Sequence, residues 1–204
     1  MSASKESAAI LSGELDNDST PSQVGAEIRD LRKAKRLTIK ELSLSASVSV
    51  GHLSEIERGL ASPSIKTLRD IAKALGVTIG WFLHNAEGCD PAERDYIVRA
   101  GNRRMLRFSS GITDELLSPN LRGQLELVMA RFPPGATEAE PAYSHQGEEA
   151  GLVTSGTFEL WIGEQCFTLQ AGDSFSFPST TPHRYRNPGE IEAVVVWAIT
   201  PPTY

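Results

Sequence analysis

Apolar residues change their spacing part-way along this chain. Between Val24 and Leu83 they return every three or four positions. The sets are Val24, Ile28 and Leu31; Ile39 and Leu42, with Ser43 at the inward edge; Leu53 and Ile56; and Leu68, Ile71, Ala72 and Leu75. That period predicts amphipathic helices, each with one buried stripe. A last short helix over 79–83 is expected to close the unit with Trp81 and Phe82 in its core, giving five helices. From Arg103 onward the period becomes two, which predicts strands at 103–108, 124–132, 151–154, 157–162, 165–169, 174–177, 183–186 and 191–200. Pro133-Pro134-Gly135, Ser155-Gly156, Ala171-Gly172-Asp173 and Asn187-Pro188-Gly189 supply turns between them. Many short strands at this spacing suggest an antiparallel double-sheet barrel of the jelly-roll class. The chain thus divides into a Ser-, Asp- and Ala-rich tail, 1–21, expected to be disordered; a helical domain, 22–84; a linker, 85–102, with a short helix at 92–96; and a β domain, 103–204. The class is multidomain α + β.

Cap residues sharpen the helical half. Thr38 with Glu41 has the spacing of a capping box. Ser49 and Ser64 stand before apolar-periodic runs, where a hydroxyl caps a helix. Gly59 and Gly76 follow such runs, where glycine accommodates the left-handed residue of a C-terminal cap. The stretch 38–59 therefore reads as two short helices joined by a tight turn. Leu53 and Ile56 take the inner face of the second. Val50, Gly51, Ser54, Glu55 and Arg58 are left outside, with His52 at the margin.

Charge separates the same halves. Residues 22–84 hold ten Lys/Arg against six Asp/Glu, whereas residues 85–204 hold nine Arg against sixteen Asp/Glu, within a formal net charge of −6. A cationic helical unit joined to an acidic β domain is the balance expected of a small nucleic-acid-binding head on a second module. The basic run 32–36 has two readings for Lys35 and Arg36, a solvated helix end and phosphate contact, and both stay open. Arg131 and Arg184 are candidates to neutralise an acidic ligand. Cys89 and Cys166 are too few and too far apart for a disulfide framework or a zinc finger. The sequence shows no signal-peptide core and no membrane-length apolar run, so a cytoplasmic protein that engages no membrane is expected.

The phrase LSEIERG followed by SPSIKTL resembles the helix-turn-helix of Cro/repressor-like regulators of the xenobiotic-response-element family, whose domain is lambda-repressor-like. The resemblance covers about 24–83, with the motif at about 39–58. It implies that the second helix enters the major groove while the first crosses the backbone. The implied contacts to a double-stranded operator are Thr38, Ser49, Val50, Gly51, His52, Ser54, Glu55 and Arg58, with Ser64, Lys66 and Thr67 at a helix N-terminus holding phosphate. It also implies an internal ion pair between Arg32 and Glu57. Ser47 stands where the family has glycine, so a strained or reshaped turn is expected.

The second half resembles a cupin, a double-stranded β-helix. His145, Glu149 and Gly156 follow its first motif, and Gly172, Pro178, His183 and Asn187 its second, with Thr180 in place of a usual glycine. The resemblance implies that His145, Glu149 and His183 point into the barrel as metal ligands, a donor set that suits zinc, iron, manganese or nickel. Tyr143 replaces a fourth histidine and is a poor ligand near neutral pH. A metal-free pocket in which the same three residues hydrogen-bond an organic ligand is the other reading. Tyr143, Trp161, Phe177 and Tyr185 are candidate lining residues for an effector. The two resemblances together imply a homodimeric transcription regulator, a repressor by default, whose cupin domain senses a small molecule. The alternative is a cupin dioxygenase or isomerase carrying a DNA-binding domain, and no catalytic residue is assigned for it.

Overall fold

The structure is a computed structural model that describes residues 21–83, 92–93 and 95–203, apart from the side chains of 21–22 and 138–141. Of the tail expected at 1–21, residues 1–20 lie outside the described residues and Pro21 begins a helix; the linker segment 84–91, with Cys89, also lies outside them. Four α-helices come first: α1 (Pro21–Ala34), α2 (Ile39–Ala46), α3 (Val50–Glu57) and α4 (Ile65–Ala74). Pro21 occupies the first turn of α1, where its missing N–H costs nothing. Thr38 Oγ1 accepts the Glu41 N–H at 3.2 Å, and the Glu41 carboxylate accepts the Thr38 N–H at 2.7 Å, completing the capping box. Ser49 and Ser64 cap α3 and α4 by accepting the N–H groups of His52 and Thr67.

All four helices end in one backbone pattern. A residue in the left-handed region donates its N–H three positions back, and the next residue donates five back. Gly59 and Gly76 fill that place in α3 and α4 with φ of 72° and 71°, but Arg36 and Ser47 fill it in α1 and α2, both at φ 55°. A side chain there costs about 1 kcal/mol. Ser47 thus keeps the turn's shape at the expense of strain. The fifth helix expected at 79–83 is instead a single 3-10 turn, Ile79–Trp81. Thr78 offers no side-chain cap and Gly80 interrupts the run, so a nucleated turn does not propagate. Trp81 and Phe82 are nonetheless buried. Likewise the expected helix at 92–96 is one turn, in which Tyr96 and Ile97 both donate to the Glu93 carbonyl.

Gly25 sets how α1 meets α3. A Cβ at Gly25 would lie 1.9 Å from the Ile56 carbonyl oxygen, so the two backbones touch with no side chain between them. Arg32, about two turns further along the same face of α1, reaches Glu57 at the end of α3 through two parallel bonds of 2.7 and 2.8 Å. Its third nitrogen donates to the Leu37 carbonyl at 2.8 Å. The Glu57 bonds hold the Arg32 guanidinium above its ordinary pKa despite burial.

Ten strands follow. One sheet runs β1 (Arg104–Arg107), β2 (Thr113–Leu116), β3 (Glu126–Phe132), β10 (Ala193–Thr200), β5 (Glu148–Ser155) and β8 (Ser174–Pro178). The other runs β4 (Thr137–Tyr143), β9 (His183–Arg186), β6 (Thr157–Ile162) and β7 (Gln165–Gln170). All pairings are antiparallel. The two sheets close over a shared interior filled by Phe132, Phe158, Phe175, Tyr185 and Trp197, with ring centroids 4.7–6.4 Å apart. Strands β2 and β4 were not among those expected. β2 reads TDEL and β4 reads TEAEPAY, compositions depleted in strand formers, so their pairing partners decide their conformation.

The helical unit docks on the barrel through α1. Arg104 Nη2 lies 2.5 Å from Glu27 Oε1, and its guanidinium sits 5.9 Å from the Trp81 ring centre. Arg122 Nε lies 2.9 Å from Asp30 Oδ2. Burial raises the pKa of Glu27 against the opposing pull of Arg104.

Candidate functional site

Two sites emerge. The first is the outer face of α3 with the start of α4. Leu53 and Ile56 are fully buried, while Val50, Gly51, Glu55 and Arg58 are exposed and His52 and Ser54 are partly so. Nothing lies within 4 Å of where a Cβ on Gly51 would stand. The fold therefore does not require glycine there, although an exposed helical glycine costs about 0.8–1 kcal/mol relative to alanine. His52 and Glu55 come within 3.9 Å of each other on this face. Lys66 is 88% exposed and pairs with Asp70 at 3.3 Å. The Thr38, Ser49 and Ser64 hydroxyls all accept backbone N–H bonds as caps, and each remains on the surface.

The second site lies at one end of the barrel. His145 comes from the β4–β5 connection, Glu149 from β5 and His183 from β9. Two backbone bonds place them together: His145 N–H to the Ser179 carbonyl, and Ser179 N–H to the Gly147 carbonyl, both 2.9 Å. Gly147 is obligatory for this crossing, with φ of 119° and the Thr200 carbonyl 1.8 Å from where a Cβ would be. His145 Nε2 and His183 Nε2 then lie 2.7 and 3.3 Å from the same oxygen, Glu149 Oε1. Glu149 and His183 are almost wholly buried. Their facing atoms, Oε1 and Nε2, make no directed hydrogen bond.

The other ring nitrogens explain the arrangement. His183 Nδ1 is 2.8 Å from the Thr181 carbonyl and His145 Nδ1 is 3.3 Å from the Gln146 carbonyl. A carbonyl only accepts, so the close Thr181 contact puts a proton on His183 Nδ1 and turns its Nε2 lone pair toward Glu149, and the same tautomer of His145 would do likewise. These three donor atoms lie within 4.8 Å of one another, close enough to share one cation. A proton can serve: burial disfavours the His183 imidazolium, but Glu149 and the Thr181 carbonyl outweigh it and raise its pKa. Burial pushes Glu149 up, yet the two histidines hold its carboxyl below the usual range. A divalent metal fits the same donors, and backbone-anchored Nδ1 atoms are how proteins fix ligating histidines. Tyr143 contacts the cluster through a neighbouring tyrosine. Its hydroxyl is 3.1 Å from that of Tyr185, which donates to Glu149 Oε2 at 3.2 Å. It thus orients the carboxylate through Tyr185.

Three sequence assignments change here. Trp161 faces outward, because Phe158 and Leu160 take the inward positions of β6, and the Arg184 guanidinium covers it at 4.3 Å. Arg184 therefore points away from the barrel interior. Arg131 also lies outside, engaged by Glu115 and Glu192. The effector pocket expected among Phe177 and Tyr185 is occupied by the aromatic packing itself, with the Phe177 ring 5.0 Å from that of His183. Open space instead lies at the rim, a cleft of about 380 Å³ lined by Ser144, His145, Gln146 and Thr180 from the barrel and by Lys35 and Arg36 from the helical unit. Sequence reasoning weighed Lys35 and Arg36 only against DNA and solvent. Nothing in a single sequence shows that α1 docks its C-terminal end over the barrel mouth.

Comparison with known proteins agrees with both halves. The family described as "Helix-turn-helix" matches residues 28–82, and the family described as "Cupin domain" matches 128–199. The HTH-type transcriptional regulator PuuR of Escherichia coli is 26% identical over 88% of this chain and 96% of its own. The transcriptional regulator ClgR of Mycobacterium tuberculosis is 40% identical over 38% of this chain and 68% of its own. A solved HTH_3 family transcriptional regulator from Vibrio cholerae aligns with 90% of this chain and 98% of its own, at 24% identity and a TM-score of 0.42. Among the described residues, no helix is long and apolar enough to cross a membrane. With a capped α2–α3 pair in front and a cupin barrel behind, this chain belongs to the helix-turn-helix family of DNA-binding transcriptional regulators.

Proposed function

We propose that this regulator binds an operator through the outer face of α3 and adjusts that binding to a small molecule held at the His145–Glu149–His183 end of the barrel. The observation that carries the reading is the convergence of two Nε2 lone pairs and a carboxylate oxygen, in the same chain as a recognition helix. A bound zinc, iron, manganese or nickel ion would be held by those three residues, and it would supply Lewis-acid attraction for an oxygen-bearing ligand. Tyr185 and Tyr143 keep Glu149 oriented, and the buried aromatics behind it exclude water. In the duplex, Val50, Gly51, His52, Ser54, Glu55 and Arg58 face base edges, with Thr38 and Ser49 beside them. Ser64, Lys66 and Thr67 hold phosphate. One such head reads only a few base pairs, so a homodimer on a two-fold-related site supplies the affinity. The regulator acts in the cytoplasm, as a repressor by default.

The test uses the full chain. Metal content by mass spectrometry and operator binding by anisotropy are compared in wild type and Glu149→Gln. The variant is expected to lose metal and the response to effector extract while keeping operator affinity. A full response in Glu149→Gln would sink the site. The same triad with open positions also suits an iron-dependent oxygenase. Aerobic turnover of small acids or amines by the iron-loaded chain would favour that enzyme reading, and its absence favours the sensor.

A further inference from the structure

We infer that the ligand is a small anion, bearing a carboxylate or phosphate-type group, and that it bridges the barrel rim to Lys35 and Arg36 at the end of α1. This rests on the sensor reading above and names its ligand class. The cleft of about 380 Å³ falls within the size range of small-molecule sites. Its barrel wall includes His145, one of the three convergent donors, and its other wall includes two cations of the DNA-binding unit.

Lys35 is half-buried, and burial pulls its pKa down while the buried Glu126 carboxylate draws it back up. Neither Lys35 nor Arg36 has an ion-pair partner among the described residues. Glu126, which accepts two bonds from Thr203, offsets part of the Lys35 charge and leaves Arg36 as the uncompensated cation of the cleft among the described residues. The half-buried Lys35 ammonium gains from a further opposite charge, and the exposed Arg36 guanidinium is free to meet the same group. Arg36 also occupies a left-handed position, φ 55°, that Gly59 and Gly76 fill elsewhere.

Occupancy reaches the DNA-reading face by a short route. Arg36 precedes Leu37, whose carbonyl is held by Arg32, and Arg32 holds Glu57 at the end of α3. A ligand gripping both walls clamps the head on the barrel. It alters operator affinity to the extent that it prefers this docked arrangement over others.

The experiment titrates malonate and inorganic phosphate, separately, into the full metal-loaded chain by calorimetry, with Lys35→Ala and Arg36→Gly as variants. Saturable binding is expected, weakened roughly ten- to a hundred-fold by either change, as for charge-assisted contacts. The arm that binds more tightly tells carboxylate from phosphate. Arg36→Gly should also melt no lower than wild type, because glycine relieves the left-handed strain, and its metal content should be unchanged. Absence of anion binding in wild type, or wild-type anion affinity in both variants, would overturn the inference. So would a uniform loss of affinity for all DNA sequences with a smaller salt slope, which would assign Lys35 and Arg36 to the duplex. Metal retained in full by His183→Ala would instead remove the donor cluster, leaving the anion titration readable on its own.

Discussion

The barrel and the helical unit handle positive charge in opposite ways. In the barrel, Arg103, Arg131 and Arg186 pair with Glu115, Glu192 and Glu159, and Arg184 lies flat on Trp161. Arg104 and Arg122 are consumed by the docking of α1. The helical unit leaves Arg36, Lys40 and Lys73 without ion-pair partners among the described residues, and Lys66 only loosely held. Arg32 alone is locked inside it. The lesson is that net charge misleads for this chain. What matters is which cations are already neutralised by their own fold and which are offered to a partner.

Three substitutions break or sharpen this contrast. Glu57→Ala strips the one internally satisfied cation of the head and leaves Arg32 buried without its carboxylate. Side-chain exposures of 12% and 5% place the pair in the regime where a broken ion pair costs about 3–5 kcal/mol. Chemical denaturation should show the head unfolding well before the barrel, and superimposed transitions at the wild-type midpoint would mean that the pair is dispensable. Lys66→Ala removes an offered cation. Folding should be unchanged, while affinity for specific and random DNA falls alike and the salt slope drops by about one. An unchanged slope would take Lys66 out of the interface. Arg131→Met removes a sequestered cation at a half-exposed surface pair and should shift stability by no more than about 1 kcal/mol, with no effect on DNA affinity at any salt concentration. A salt-dependent change in DNA binding would mean that barrel arginines also address the duplex.

Where local pattern decides conformation, the sequence sufficed. β6 and β9 fall on their expected ranges, 157–162 and 183–186, because apolar alternation and turn residues coincide there. The helices follow from their caps and inward residues in the same way. Spacing and resemblance also singled out His145, Glu149 and His183, which the fold brings together. Apart from the uncapped fifth helix, what failed was set by long-range contacts. β2 and β4 become strands because β3 and β9 pair with them, not through their own composition. Trp161 was one position out of phase, and in a strand one position reverses the face. The placement of Lys35 and Arg36 depends on ion pairs between residues 77 and 92 apart in sequence, Glu27 with Arg104 and Asp30 with Arg122.

The contact of Gly25 with the Ile56 carbonyl has a mechanical corollary. With no methyl group to act as a bearing, the recognition helix has no slack of its own against the first helix of the domain. It can neither roll nor slide toward a base edge independently. A signal that moves this helix must therefore swing the whole head like a stiff lever.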